Sequence, residues 1–487
     1  MGHEVHLLCQ DRDARALPWV DAIGTWDGGE LEVDVLREPV RCTVYTPPIG
    51  SVLPLYVADR YDGFDARPFQ DLTDAELEHY LAANVGAVRD VAARVDPEAA
   101  LANHLVMGPV ILARAGLRYA VKVHGSALEY TVKPHPERFL PRAREGLDGA
   151  SGVLVGSRHT GESLWAALGD PSLPSRTRLG PPGVDVHEFR PRPHDEAVAG
   201  LHALADRLEG APAAGWGGDA GAAGALRMLD PGRDRIVSYV GKLIVSKGVD
   251  LLFAAWPLVV AAVPQARLCV VGFGAYRDGL QRLLASIDQR DITAAREVAD
   301  RGRALEGGEA GELSYLAAFL DGLEGEERER WLATGPEAAA RVHFTGRLEH
   351  SDLPSLLPAC EAQVVPSTFP EAFGMVAVEA AACGALPLSA SHSGLAQVTA
   401  ALREGVEAEV RPLLEFERGP GAVQEIADKL VRWLTLDENR RGAARAALSD
   451  LARTRYGWES VAESVIAASQ GDLADLPRPA DTPSEPF

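Results

Sequence analysis

Two lysines flank a short loop in the segment GKLIVSKG (241–248), which follows a run of strand-forming residues. A helical pattern begins directly after Gly248, so Lys242 and Lys247 lie close to a helix start. The first turn of a helix carries about +0.5 charge and free N–H groups, and two ammonium groups beside it suit a diphosphate. A pair of solvated surface lysines is the other interpretation of these residues.

Two glutamates occur eight positions apart in STFPEAFGMVAVEAAACG (367–384). Glu371 precedes a predicted helix, and Glu379 lies about 12 Å further along its axis, too far for the two to share a metal. They could instead hold hydroxyl groups at the two ends of an elongated ligand, or be an ordinary helix-start acid and an exposed helical acid. The apolar surroundings of Glu379 favour the first interpretation, because a buried carboxylate needs hydrogen-bond partners. Backbone N–H groups would face phosphates between them, at Phe373, Gly374, Met375 and Val376.

Strand-forming and helical patterns alternate along both halves of the chain, which predicts α/β units with parallel sheets. In the first half we predict strands at 4–9, 41–46, 119–125 and 152–157. In the second half we predict five strands, at 236–241, 267–274, 341–346, 362–367 and 385–390. Ligands of such sheets bind beyond the carboxyl ends of the strands, where the lysine and glutamate motifs lie.

Composition shifts divide the chain into an N-terminal Rossmann-like domain, a linker or insertion, and a second Rossmann-like domain with C-terminal helices. Five ranges result: 1–190, 191–232, 233–445, helices at 446–470 that could return to the N-terminal domain, and a disordered tail at 471–487. The second domain contains an acidic helical insertion at about 288–335, because its crossover is too long for one helix. The segment 210–226 is rich in glycine and alanine, which we expect to be unable to hold a core.

The net charge of −22 disfavours nucleic acid as a partner, since it removes the electrostatic attraction to phosphate. A basic stretch at 114–144 could contact an anionic substrate or a membrane surface, or could simply be solvated. Five widely spaced cysteines without a CxxC motif indicate a reducing compartment. The start of the chain lacks a signal-peptide pattern and no run is long enough to span a membrane, so we expect a soluble, cytoplasmic protein.

The motifs together resemble those of the retaining glycosyltransferases of family 4, which have the GT-B fold of two Rossmann-like domains facing across a cleft. The matching elements in the second half are GKLIVSKG, VVGFG (270–274), VHFTGRL (342–348), PEAFGMVAVEAAACGALPL and HSGLAQV (392–398). In the first half HGSALEY (124–130), GSRHTGESL (156–164) and GPPGVDVHEF (180–189) also match. The resemblance covers most of the chain in order.

The resemblance implies a role for each matched position. Glu371 would contact sugar hydroxyls, Glu379 the ribose, and Lys242 with Lys247 the leaving diphosphate. His124 would lie across the cleft near the sugar; as an isolated residue it could equally be a core histidine. Gly241 and the backbone of Gly346, Arg347 and Leu348 would border the nucleotide. No cofactor or metal is implied beyond the nucleotide-sugar itself, and the acceptor could be a glycan, a lipid or a small molecule.

The chain departs from the family pattern at three places. Family members normally begin with a strand and a Gly-rich loop before the segment matching GHEVHLLC (2–9), so this first strand-loop-helix is expected to be missing here. Lys242 stands where many members have arginine, which would bind phosphate in a bidentate manner. In the last motif Ser393 precedes Gly394 where two glycines are common, and Gln397 replaces the usual glutamate.

Other classes of protein share parts of this pattern. An epimerase or a phosphorylase-like enzyme of the same architecture is one alternative, and a non-catalytic or degenerate sugar-nucleotide-binding protein is another. The sequence GFG (272–274) also occurs in dinucleotide-binding dehydrogenases, but the third glycine and the acidic residue of that motif are lacking.

Overall fold

The computed structural model of the protein describes residues 2–56, 65–210 and 219–479. The backbone forms two units, one made of residues 2–181 and 461–479 and the other of residues 182–460. Each unit is an α/β structure with its own hydrophobic core.

Within the part of residues 2–181 that the structure describes, the N-terminal unit contains ten short strands and five helices. The strands are β1 Val5–Leu8, β2 Ala22–Asp27, β3 Glu30–Val35, β4 Cys42–Tyr45, β5 Val52–Leu55, β6 Asp65–Pro68, β7 Leu101–Asn103, β8 Ala120–Val123, β9 Gly152–Val155 and β10 Thr177–Leu179. The helices are α1 Asp74–Val95, α2 Gly108–Ala115, α3 Pro136–Asp148, α4 Arg158–Leu168 and α5 Leu173–Arg176.

These strands form separate sheets rather than the single doubly wound sheet that the alternation predicts. One sheet has the order β1-β4-β2-β3, a second is parallel with the order β10-β9-β8-β7, and β5 pairs with β6. The antiparallel hairpin of β2 and β3 was missed, although Gly28 and Gly29, both with positive φ, are a common hairpin turn. Strands β8 and β9 are buried on both faces, as expected for parallel strands covered by helices.

The C-terminal unit contains twelve helices and six strands within the described residues. The strands are β11 Arg235–Val240, β12 Ala266–Val271, β13 Val342–Gly346, β14 Ala362–Val365, β15 Leu386–Ala390 and β16 Glu415–Phe416. The helices are α6 His194–Leu208, α7 Ala222–Arg227, α8 Val249–Ala262, α9 Arg277–Asp288, α10 Ile292–Arg301, α11 Ser314–Gly322, α12 Gly325–Ala339, α13 Leu353–Leu356, α14 Met375–Ala382, α15 Ser393–Arg403, α16 Ala422–Leu434 and α17 Glu438–Tyr456. A last helix, α18 Trp458–Gln470, leads into residues 461–479 of the other unit.

The sheet of the C-terminal unit is parallel throughout, with the order β13-β12-β11-β14-β15-β16. All five predicted strands are present, and the two-residue β16 adds a sixth. This is the Rossmann order, in which the direction of winding reverses between β11 and β14. Ligands of such sheets bind beyond the carboxyl ends of the two strands at that reversal, so the loops after β11 and β14 are placed to form a site.

Two segments of the C-terminal unit differ from their sequence-based description. Helices α6 and α7 lie in the predicted linker at 191–232 and bury Leu201, Leu204 and Leu226, so this stretch does contribute to the core; residues 211–218 lie outside the described part of the chain. In the acidic insertion, Trp331 is buried and donates a hydrogen bond to the carbonyl of Ala254. Aromatic and leucine side chains anchor these segments where composition suggested only a solvated surface.

The predicted disordered tail is ordered as far as residue 479. The Leu179 N–H donates to the carbonyl of Pro477 at 2.7 Å, and the Arg178 guanidinium donates to the carbonyl of Leu473 at 2.7 Å. These bonds fix the tail along β10, because backbone carbonyls of the tail satisfy donors of that edge strand. Residues 480–487 lie outside the described part.

Candidate functional site

The loops after β11 and β14 meet at the winding reversal. The Lys247 ammonium, at the end of the first loop, forms an ion pair with the Glu371 carboxylate of the second. The Thr368 N–H donates to the carbonyl of Ser246 at 2.9 Å, which joins the two loops through their backbones. Tertiary structure therefore brings together two residues that the sequence placed in separate motifs.

Glu371 is held on three sides. The Ser367 hydroxyl donates to its carboxylate at 2.6 Å, its N–H donates to the Ser393 hydroxyl at 2.8 Å, and its carbonyl accepts from the Gly394 N–H at 2.9 Å. Ser393 adopts a left-handed backbone conformation with φ of 50°. Nothing in the sequence marks either serine as a partner of Glu371, because a lone serine gives no signal of its own. The carboxylate is fixed before any ligand binds, which is the preorganisation that a binding site requires.

Glycines allow the loops of the site to touch through their backbones. A Cβ atom on Gly272 would lie 1.9 Å from the carbonyl oxygen of Gly241, and one on Gly248 would lie 2.0 Å from that of Pro366. The Gly272 N–H also donates to the carbonyl of Gly346 at 2.9 Å. Gly241, Gly272 and Gly346 thus join the ends of three adjacent strands.

Replacing Gly272 by alanine is expected to lower the free energy of unfolding by about 3 kcal/mol, because the added methyl group clashes with backbone at a φ only glycine adopts easily. Urea denaturation measures this change. Gly307→Ala is the matched control: Gly307 also has positive φ, but a Cβ there meets nothing within 4 Å. Its cost should be about 1 kcal/mol, from backbone strain alone. Equal effects of the two substitutions would contradict the close-approach explanation.

Helix α14 begins at Met375 with free N–H groups. Its N-cap residue is Gly374, with φ of 128° and no side chain to cap the helix. Within the described residues, the N–H groups of Gly374, Met375 and Val376 have no protein acceptor. Uncapped donors at a helix start attract an anion, and Glu371, which pairs with Lys247, belongs to the loop that precedes them.

Glu379, in the middle of α14, is almost completely buried and has a partner that the sequence did not reveal. His350, in the turn after β13, contacts the Glu379 carboxylate through Nε2 at 2.8 Å. The hydrogen bond to Glu379 raises the pKa of His350 above its ordinary value. The other face of the imidazole packs on Phe189, with ring centroids 5.0 Å apart. His350 thus provides the hydrogen-bond partner that the buried Glu379 carboxylate needs. This carboxylate lies at the edge of the candidate site.

The His350–Glu379 pair predicts a specific pH dependence. Since the folded-state pKa of His350 is raised, its stabilising contribution is fully present below the unfolded pKa of about 6.5 and is lost as pH rises through the folded value. Titration followed by NMR should give a His350 pKa above that of an unfolded peptide, and Glu379→Gln should return it to about that value. An unchanged His350 pKa in Glu379→Gln would contradict the pairing.

Arg347 and Leu348, predicted to border the nucleotide, follow β13 directly. The Arg347 guanidinium lies 6.0 Å from the centroid of the Phe273 ring, and Leu348 is buried. Asp219 also lies at the end of this strand. It forms an ion pair with Arg277, and its Cβ atom is 2.5 Å from the position that a Cβ on Gly346 would take. No sequence motif predicted that Asp219 or Arg277 would lie near the site.

Lys242 is exposed, and its ammonium has no partner within the part of the chain that the structure describes. No contact joins it there to Glu371 or Glu379. The acidic insertion, to which the sequence assigned no chemistry, reaches the same loop: the Val245 N–H donates to the Glu306 carboxylate at 2.7 Å. Glu306 therefore helps to fix the loop that carries both lysines.

His124, in the N-terminal unit, follows β8 and belongs to a second polar cluster. Its Nε2 lies 2.9 Å from the Asn103 amide oxygen, and its ring packs 5.0 Å from that of His104. Desolvation and the nearby Lys122 ammonium lower the pKa of His124, while burial and His124 lower that of His104 to about 4. Because both pKa values are lowered, both imidazoles are neutral at pH 7 and do not repel each other as cations.

The basic stretch at 114–144 does not form a free cationic patch. Arg114 pairs with Glu145, Lys133 with Glu129, Arg138 with Asp74 and Arg142 with Glu78. Lys122 is buried and donates to the carbonyl of Pro181. Since acidic neighbours neutralise most of these side chains, the stretch gives no support to an anionic surface as partner.

The described residues contain neither a metal-binding cluster nor a helix able to span a membrane. No group of three or more His, Cys, Asp or Glu side chains there could hold a metal ion. None of the helices described is long and apolar enough to cross a membrane.

Comparison with solved structures defines the class of fold. The chain is similar to Anabaena HepE in complex with UDP, with a TM-score of 0.53, 18% identity and coverage of 96% of this chain and 100% of that one. Its complex with UDP-glucose gives a TM-score of 0.51 at the same identity. At this identity the similarity concerns the fold, and it confirms the predicted GT-B-type α/β architecture with two domains.

One part of the C-terminal unit matches a known family. Residues 314–449 match the profile of the glycosyl transferases group 1 family. D-inositol 3-phosphate glycosyltransferase of Segniliparus rotundus is 26% identical over 301 residues, 62% of this chain and 48% of that protein. The protein of the same name from Mycobacterium tuberculosis is 25% identical over 473 residues, 91% of this chain and 79% of that protein. The chain spans about half the length of the first of these relatives.

Proposed function

We propose that the protein is a glycosyltransferase that moves a sugar from a nucleotide-sugar donor to a hydroxyl group of a glycan, lipid or small molecule. The observation that carries this proposal is the convergence of Lys247, Glu371 and the uncapped start of α14 at the winding reversal of the C-terminal sheet. A cation and free N–H groups suit a diphosphate, and the fixed carboxylate beside them suits sugar hydroxyls. The match of residues 314–449 to the glycosyl transferases group 1 profile and the nucleotide held by HepE support the same reaction.

In this proposal, different residues of the C-terminal unit bind different parts of the donor. Lys242, Lys247 and the N–H groups of α14 bind the diphosphate, Glu371 binds the sugar, and Glu379 with His350 binds the ribose. The base lies against the backbone of Gly346, Arg347 and Leu348. His124 of the N-terminal unit contacts the transferred sugar.

Transfer is proposed to proceed with retention of anomeric configuration and without a dedicated metal ion. The bond between the anomeric carbon and the diphosphate oxygen breaks, and the acceptor oxygen bonds to that carbon on the same face. The acceptor proton passes to the departing diphosphate. Fixed cations and helix-start dipoles stabilise the charge that develops on the leaving group, which is the largest contribution in many enzymes.

A donor screen by thermal shift tests the proposal. One UDP-, GDP- or ADP-sugar is expected to raise the melting temperature, and the same donor should release its nucleotide faster when an acceptor is added. NMR of the product then gives the anomeric configuration. Stabilisation by a donor without transfer or hydrolysis would favour a degenerate binding protein, conversion of the donor sugar to its epimer would favour an epimerase, and no stabilisation by any donor would contradict the proposal.

A further inference from the structure

A cavity of about 390 Å³ lies in the C-terminal unit apart from the residues proposed to bind the donor. Its apolar lining comes from Val186, Phe189 and Pro191, which follow β10, and from Ala382, the last residue of α14. Polar lining comes from Arg190 and from Asp450 and Arg453 of α17. The volume is that of a small-molecule site, which typically combines apolar walls with a few polar groups.

The charges of this cavity favour an anion. The Arg190 guanidinium has no ion-pair partner among the described residues. Arg453 pairs with Asp450 at 3.3 Å, but their side chains are 60% and 75% exposed, so the pair is weak. Two guanidinium groups and one carboxylate leave the cavity positive in a chain with a net charge of −22. Guanidinium groups bind phosphate in a bidentate manner.

We infer that this cavity binds a small phosphate monoester with an apolar body. The phosphate lies against Arg190 and Arg453, and the apolar body packs on Val186, Phe189 and Pro191. A phosphate displaces Asp450 from Arg453, because an exposed ion pair offers little resistance.

The structure also connects this cavity to Glu379. Phe189 lines the cavity and packs its ring on His350, which holds the Glu379 carboxylate. The Ser449 hydroxyl donates to the carbonyl of Ala382 at 2.9 Å, at the other end of the helix that carries Glu379. An occupant therefore touches two groups that position α14 and its carboxylate. This coupling, unlike the binding itself, rests on the proposed function.

Calorimetry with the full chain and phenyl phosphate tests the binding. We expect a dissociation constant of millimolar or below, at least about fivefold weaker binding in Arg190→Gln and in Arg453→Gln, and tighter binding in Asp450→Asn. Phenol and inorganic phosphate should each bind at least about fivefold more weakly than phenyl phosphate. Arg233→Gln, which removes an exposed arginine elsewhere in the unit, should change nothing.

Two results would overturn the inference. One is the absence of heat at 10 mM phenyl phosphate in a protein that melts normally. The other is binding that is unchanged in both arginine variants; if that binding is lost in Lys247→Ala, the phosphate lies at the proposed donor site instead.

The coupling is tested by measuring UDP affinity with and without saturating phenyl phosphate. We expect a change of about threefold or more in the wild-type chain and none in Phe189→Leu, which retains an apolar wall but loses the ring contact with His350. An unchanged UDP affinity in the wild-type chain would refute the coupling, whereas failure of UDP to bind at all would count against the proposed function.

Discussion

Replacing Lys247 by alanine is expected to abolish the thermal stabilisation given by the nucleotide-sugar and to weaken UDP binding about 30-fold. Lys247 is the cation that the structure places beside Glu371 and the loop leading to α14. Loss of one charge-assisted bond to a phosphate costs about 2 kcal/mol of binding free energy, which corresponds to that factor. Turnover should fall further, by about 100-fold or more, because the same ammonium stabilises the leaving diphosphate.

Glu371→Gln is the matched control for this experiment. In the free protein Glu371 competes with a phosphate for Lys247, so its neutralisation should leave UDP affinity unchanged or raise it slightly. UDP lacks the sugar that Glu371 is proposed to bind, and turnover of the complete donor should therefore fall. Calorimetry with UDP and a nucleotide-release assay separate these effects. If both substitutions weakened UDP binding equally, we would conclude that Glu371 also contacts the diphosphate.

The second large effect is expected at His124. Its replacement by alanine should leave UDP and donor binding within about twofold of the wild-type values, while turnover falls by about 100-fold or more, the size typical for removal of one preorganised hydrogen-bond partner. His124 is neutral at pH 7, since its pKa is lowered, and because its one N–H lies against the Asn103 amide oxygen, Nδ1 is left to accept a hydrogen bond from a sugar hydroxyl.

Single-turnover kinetics and calorimetry together test whether His124→Ala lowers turnover without weakening donor binding. Asn103→Ala removes the hydrogen bond to Nε2 of His124 while the histidine itself stays. A smaller fall in turnover is expected for that variant, because the ring loses its orientation but not its function. Full activity of His124→Ala would remove it from the proposed site, and loss of donor binding would give it a structural role.

Local sequence was sufficient for most elements of the C-terminal unit. Strands such as β12 and β14 are mostly apolar runs with one polar residue each, and the glycines and prolines around them mark where each run ends. In the N-terminal unit the same reasoning missed the β2–β3 hairpin and the division into separate sheets. Alternation of strands and helices predicts that strands are parallel, but it contains no information about which strands pair.

At the candidate site, too, local sequence predicts the residues but not the contacts between them. Local sequence is enough to predict that two lysines, two glutamates and a helix start follow the strands of a parallel sheet, because residue type and local periodicity depend on short segments. The folded chain was needed to show that Lys247 pairs with Glu371, that Ser367 and Ser393 fix that carboxylate, that His350 satisfies Glu379, and that Glu306 of the acidic insertion holds the lysine loop. These partners are 4 to 124 positions apart in the chain. Contacts over such separations are set by the strand order and by the close backbone approach that Gly248 and Gly272 permit, and neither can be read from a local pattern.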